Sequence, residues 1–169
     1  MRVLGIDPSL TSTGLALVED GQVRSLVRVR SKLKGHRRVE QIVAETLHLA
    51  RQADYVGIEG TAMHAKGSSV VQIFGLWGVL THALWVARPR DPYYVVTPSG
   101  RCKYATGKGN ADKDQVLAAV IRRYTDADVT GNDVADALVI AAMGSRQYGH
   151  PMEATLPEVN LKALEGVQW

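Results

Sequence analysis

The chain has 169 residues, of which 46% are hydrophobic and 22% charged, a composition typical of one folded globular domain. Twenty Lys and Arg against seventeen Asp and Glu give a net charge of +3, which is too small to identify a partner. Cys102 is the single cysteine, so an internal disulfide is excluded and we expect a reducing, cytoplasmic location.

The N-terminal part predicts three strands, a helix and a fourth strand. The strands cover 2–7, 13–18 and 22–30, and Asp20-Gly21 between the last two is a strong signal for a two-residue hairpin. Apolar residues then recur at helical spacing over about 36–52. A short strand at 55–59 ends, like the first strand, on an acidic residue.

A basic segment overlaps the third strand. It contains seven basic residues and no acidic residue: Arg24, Arg28, Arg30, Lys32, Lys34, Arg37 and Arg38. Such a block favours a polyanionic partner, but a solvated basic surface is an equal interpretation.

The next predicted helix, 68–87, carries no formal charge. Its length would suit a membrane span, but Gln72, Thr81 and His82 interrupt the apolar run, so we expect a packed helix and no membrane. The helix is apolar on two sides and should be covered on both. The sheet supplies one cover, and either a partner subunit or a larger core supplies the other.

The rest of the chain predicts a last strand at 93–96 and a loop at 97–110 that contains Gly and Lys. A helix around 116–124 and an Ala-rich helix at 133–148 follow, and 149–169 is expected to be an appendage or tail. Strands followed by alternating strands and helices predict an α/β fold on a mixed sheet.

Four acidic residues stand at positions that the predicted fold brings together. Asp7 and Glu59 end two buried strands, and Asp133 and Asp136 are an i, i+3 pair at the start of the last long helix. Converging carboxylates repel one another unless divalent cations relieve the repulsion, and oxygen ligands suit Mg²⁺ or Mn²⁺. Taken singly, each acid is also explained as a turn, surface or capping residue.

Three segments carry a resemblance to a known family. GIDPSLTSTGLAL at 5–17, YVGIE ending at Glu59, and NDVADALVIA at 132–141 resemble the RuvC family of Holliday junction resolvases. The resemblance implies an RNase H-like domain over 1–148, with 149–169 as an addition. The implied sheet has five strands, three antiparallel and two further parallel, with helices on both faces.

The resemblance also implies a chemistry. Asp7, Glu59, Asp133 and Asp136 would bind Mg²⁺, with Mn²⁺ as a substitute, for two-metal hydrolysis of phosphodiesters. A homodimer, paired here through 68–87, would make symmetric nicks in branched DNA that leave 5′-phosphate and 3′-hydroxyl ends. The residues expected to contact DNA are basic: Lys103, Lys113, Lys108, Arg101 and Lys66.

One position departs from the family pattern. Many resolvases of this type carry an aromatic residue three positions after the catalytic glutamate, where this chain has Ala62. Without a ring to stack on bases, selectivity for four-way junctions should fall. We therefore expect cleavage of forks, flaps and three-way junctions as well.

Three other functions remain open from the sequence alone. An ATP-binding domain of the actin and sugar-kinase type also opens with an acidic β-hairpin, but it generally needs two domains. A binding module for branched DNA without catalysis, and an RNase H-like nuclease that acts on RNA or hybrids, are the other two.

Overall fold

The protein is built on a five-stranded mixed sheet, in a computed structural model that describes residues 1–61, 70–90 and 93–168. The strand order is β3-β2-β1-β4-β5, with β1 antiparallel to β2 and parallel to β4. β5 continues the sheet parallel to β4. This confirms the predicted sheet, whose strands are β1 (Arg2–Asp7), β2 (Thr13–Glu19), β3 (Gln22–Val29), β4 (Tyr55–Glu59) and β5 (Tyr94–Val96).

The hairpin between β2 and β3 has the predicted turn. Asp20 and Gly21 have φ values of 48° and 77°, the pair of left-handed conformations that a tight hairpin with right-handed twist needs.

Helices cover both faces of the sheet, as predicted. α1 and α2 pack on one hydrophobic cluster, and α3, α4 and α5 pack on the other. The helices are α1 (Gly35–Ala50), α2 (Val70–Ala87), α3 (Pro98–Thr106), α4 (Lys113–Arg123), α5 (Asn132–Gln147) and the short α6 (Glu158–Leu161).

The buried helix α5 lies directly on the strands β1 and β2, because two glycines leave room for its backbone. A Cβ at Gly5 would come within 2.0 Å of the Ala137 carbonyl oxygen. A Cβ at Gly14 would come within 1.9 Å of the Asp133 carbonyl oxygen. This close approach brings the start of α5 to the end of β1.

The prediction of a loop over 97–110 is wrong for most of that range, because α3 occupies residues 98–106. The Thr97 side chain accepts a hydrogen bond from Gly100 N, Pro98 takes the first helical position, and Gly107 ends the helix at φ 81°. Thr, Pro and Gly at these places are ordinary signals for the start and end of a helix, although together they resemble loop composition.

The segment 149–168, part of the predicted appendage or tail at 149–169, packs on the same core. Glu153 is buried and accepts hydrogen bonds from Tyr104 and Tyr124, and Asn160 donates to the Tyr104 carbonyl oxygen. Gln168 pairs antiparallel with Val95 in the edge strand β5. The segment thus covers a sheet edge and is anchored by polar side chains, which hydrophobic patterning does not reveal.

Helix α2 buries one stripe and exposes another. Its buried residues are Leu76, Leu80, Thr81 and Leu84. By length and composition alone it could cross a membrane, and 22% of its hydrophobic window is buried. Val71, Trp85 and Val86 are 78%, 57% and 60% exposed. The described part of the chain therefore provides no cover for the second apolar side of α2.

Candidate active site

The four predicted acids meet at one edge of the sheet. Asp7 and Glu59 end the parallel strands β1 and β4, so their side chains leave the sheet on the same side. Asp7 lies within hydrogen-bond and electrostatic reach of Glu59 and also interacts with Asp136. Asp136 in turn interacts with Glu59 and Asp133.

Burial changes the acidity of two of these carboxyl groups. Asp7 is 8% exposed, and its burial, together with Glu59 and Asp136, raises the pKa of Asp7 well above its usual range. Burial raises the pKa of Asp136 to about 7, although the Arg101 cation opposes this shift. Both carboxyl groups therefore favour a nearby cation, since a cation stabilises the ionised form.

Arg101 supplies one such cation from within the fold. Its Nε donates to Glu59 Oε1 at 2.5 Å, and its Nη1 donates to Asp136 Oδ1. Arg101 was predicted to contact DNA, whereas in the structure only 6% of it is exposed and its guanidinium donates to two carboxylates. The sequence contained a signal for this burial, because Arg101 shares a helical face of α3 with Tyr104 and Ala105, which are also buried.

Arg28 holds the fourth acid. Its Nη2 donates to Asp133 Oδ2 at 3.0 Å, and the Ser12 hydroxyl donates to the same oxygen at 2.5 Å. A Cβ at Gly131 would lie 2.7 Å from Nη2 of Arg28, so glycine leaves space for the guanidinium. Neither contact was predicted, and Arg28, a member of the basic segment, is paired here with an acidic residue.

A tryptophan of α2 contacts the backbone of the site. Trp77 Nε1 donates to the Glu59 carbonyl oxygen at 3.0 Å, across the gap between α2 and the end of β4. Gly60 N donates to the Val96 carbonyl oxygen at 2.8 Å. These two bonds fix the backbone around Glu59, and no pattern in the sequence predicts the first of them.

Some of the residues predicted to contact DNA lie around this edge of the sheet. Lys113 opens α4 and is exposed, and its charge acts on Asp136. Lys103 is half-buried on α3, and Lys108 is exposed in the turn that follows it. Lys66 and Ala62 lie outside the residues that the structure describes. DNA contact by these lysines stays a prediction.

The donor set fits a hard divalent cation, since it offers four carboxylates and two of them are buried. Among the residues that the structure describes, no group of three or more His, Cys, Asp or Glu side chains is arranged to hold a metal as it stands. Three of the four acids instead direct an oxygen toward an arginine.

Solved structures resemble this fold. Thermus thermophilus RuvC aligns with a TM-score of 0.69 and 23% identity over 89% of this chain and 98% of that protein. T. thermophilus RuvC in complex with Holliday junction substrate aligns with a TM-score of 0.66 and 24% identity over 83% of this chain and 90% of that chain. At these identities the likeness establishes the fold.

Sequence comparison goes further than the fold. The crossover junction endodeoxyribonuclease RuvC of Mycobacterium sp. (strain KMS) is 33% identical over 152 residues, which cover 83% of this chain and 80% of that protein. The family model described as crossover junction endodeoxyribonuclease RuvC matches residues 3–143, a range that includes the four acids. The chain therefore belongs to the RuvC family of crossover junction endodeoxyribonucleases.

Proposed function

We propose that this chain is a Holliday junction resolvase, a nuclease that makes paired symmetric nicks in four-way DNA junctions. The observation that carries the proposal is the convergence of Asp7, Glu59, Asp133 and Asp136 at one edge of the sheet. Membership of the family decides against the ATP-binding domain as an alternative. A solved relative, T. thermophilus RuvC, binds a Holliday junction substrate.

We assign the four acids to metal binding. Nucleases of this family are metal-dependent, and Mg²⁺, with Mn²⁺ as a substitute, is the ion that an all-carboxylate site favours. When bound, two such ions supply Lewis acidity for hydrolysis of the phosphodiester, at the attacking water and at the leaving 3′ oxygen. Asp7 interacts with both Glu59 and Asp136, so it would hold a metal together with either of these acids.

The protein's own part in the reaction is to position groups and balance charge. Asp133 lies in the first turn of α5, and the fixed ends of β1 and β4 keep Asp7 and Glu59 on one side. Exposed Lys113 can donate to a phosphate oxygen beside Asp136. Lys103, Lys108 and Lys66 are proposed to hold more distant phosphates.

A second copy of the chain would complete the enzyme, since paired nicks need two active sites. We propose that the exposed apolar side of α2 forms the dimer interface. Val71, Phe74, Trp85 and Val86 are each more than 40% exposed, and contiguous exposed apolar residues mark association surfaces. Val79 belongs to the same exposed side. We further propose a cytoplasmic location, consistent with a single, unpaired cysteine.

The test is cleavage of a labelled four-way junction in Mg²⁺ by the wild type and Asp7→Asn. The amide removes a shared metal ligand, so cleavage should be abolished while junction binding, which depends on Lys and Arg, remains and weakens with salt. Asp126→Asn is the matched control, because it removes the same charge from an exposed turn.

Three results would contradict the proposal. Cleavage that persists in excess chelator would exclude the metal-dependent mechanism. Asp7→Asn that cleaves like Asp126→Asn would exclude this site, and a wild type that binds junctions without cutting them would leave a binding module only.

A further inference from the structure

The most unusual feature of the site is a buried arginine between two of the proposed metal ligands. The Arg101 side chain is 7% exposed and bridges Glu59 and Asp136, whose side chains are 15% and 3% exposed. The two carboxylates are on different elements, β4 and α5, and the arginine comes from a third, α3.

Burial of an arginine is costly unless its charge is paired and its donors are used. Arg101 meets this requirement through the two carboxylates, and burial of the pair makes each hydrogen bond strong. The carboxylates need the cation as well, since Asp7, Glu59 and Asp136 repel one another in the interior. The arginine therefore stabilises the acidic cluster in the absence of a metal.

The same oxygen atoms have a second use. Glu59 Oε1 and Asp136 Oδ1 accept from Arg101, and both belong to carboxylates that we assign to the metal site. The hydrogen bond from the guanidinium occupies a lone pair of each of these oxygens, and the positive charge of Arg101 opposes the approach of a second cation, so both effects weaken the carboxylates as ligands for Mg²⁺.

We propose that Arg101 is a resident counter-cation of the active site, which holds Glu59 and Asp136 in the metal-free protein and is displaced when Mg²⁺ binds. The inference rests on the proposed function, because it takes the acids to be metal ligands. Arg101 is thus a positioning residue: it keeps the acidic cluster assembled before the metal arrives and lowers the affinity for the metal.

The first experiment compares Mg²⁺ binding by wild type and Arg101→Gln without DNA, by calorimetry and by the melting temperature in EDTA and in Mg²⁺. The variant should bind Mg²⁺ about tenfold more tightly, or about 1.4 kcal/mol, because the competing cation is gone. Its melting temperature in EDTA should fall and should rise more with Mg²⁺ than that of the wild type.

Arg88→Gln is the matched control. The Arg88 guanidinium donates to the carbonyl oxygens of Ala50, Ala53 and Asp54, at the opposite end of β4 from Glu59. Its loss should lower the melting temperature equally in EDTA and in Mg²⁺, and it should leave the affinity for Mg²⁺ unchanged.

The outcomes separate this inference from the proposed function. Arg101→Gln that binds Mg²⁺ no more tightly than the wild type would overturn the counter-cation role and leave the metal site in place. Absence of Mg²⁺ binding in the wild type and the variant would overturn the metal site and the inference together.

A second measurement uses the wild type and does not depend on how the variant folds. In ¹⁵N spectra of arginine side chains, the Arg101 Nε–H signal should be protected from exchange in EDTA, since it donates to a buried carboxylate. Mg²⁺ should shift this signal and speed its exchange, while the Arg88 signal remains unchanged. An Arg101 signal unaffected by saturating Mg²⁺ would overturn the inference.

Discussion

Gly14→Ala should move Asp133, one of the proposed metal-binding acids, without changing any acidic side chain. The added Cβ would lie 1.9 Å from the Asp133 carbonyl oxygen, whereas ordinary contact begins at 3.4 Å, so the start of α5 must retreat by about 1.5 Å. Overpacking of this kind costs about 1–3 kcal/mol, less than the about 5–15 kcal/mol by which domains are stable. The protein should therefore fold.

This displacement of the start of α5 should lower the rate of cleavage. Misplacement of a reacting group by about 1 Å costs roughly 10²-fold, so cleavage by Gly14→Ala should fall by about that factor or more. The assay is single-turnover cleavage of a four-way junction at saturating enzyme, with junction affinity and melting temperature measured in parallel. Affinity should change little, since the phosphate contacts are elsewhere.

Gly166→Ala is the control, because a Cβ there would meet nothing within 4 Å. It should retain the wild-type rate and melting temperature. Folded Gly14→Ala that cleaves at the wild-type rate would refute the reasoning, since it would mean that the distance between α5 and β1 does not set the geometry of the acids.

Two further predictions concern the dimer and the substrate range. Phe74→Glu places a charge on the exposed side of α2 and should give a folded monomer by analytical ultracentrifugation and circular dichroism. Thr125→Glu, in the exposed turn that follows α4, should remain a dimer. Unfolding of Phe74→Glu without a monomer would contradict the assignment. Ala62→Phe should increase the preference for four-way junctions over flaps and three-way junctions, because stacking on a base is worth about 1–3 kcal/mol. A strong four-way preference in the wild type that the ring leaves unchanged would end the hypothesis of a broader substrate range.

The strands and long helices were predictable because each is encoded locally. β1 is buried on both faces and reads as an apolar run, and the Asp20-Gly21 turn has a distinctive sequence. α5 has the Ala-rich composition of a helix buried all round. The convergence of the acids followed from topology, since parallel strands end at one edge of a sheet.

The missed features depend on contacts between distant parts of the chain. The Arg28 pair with Asp133 joins residues 105 positions apart, and the Trp77 bond to Glu59 joins α2 to β4. The contacts of the C-terminal segment were not predicted for the same reason, because Glu153 is held by Tyr104 of α3 and by Tyr124, which follows α4. Periodicity describes one element at a time and carries no information on such partners.

The active site is where this chain departs from the rules that stabilise a fold. Asp7 and Asp136 are buried where apolar residues would give a more stable core, and such departures are expected at functional sites. The fold offsets them with residues outside the proposed set of metal ligands: Gly14 lets α5 approach β1, and Arg101 balances the charge of the cluster. Substitution of either residue should therefore alter the site while leaving all four acids in the sequence. The four acids alone therefore do not determine the properties of the site.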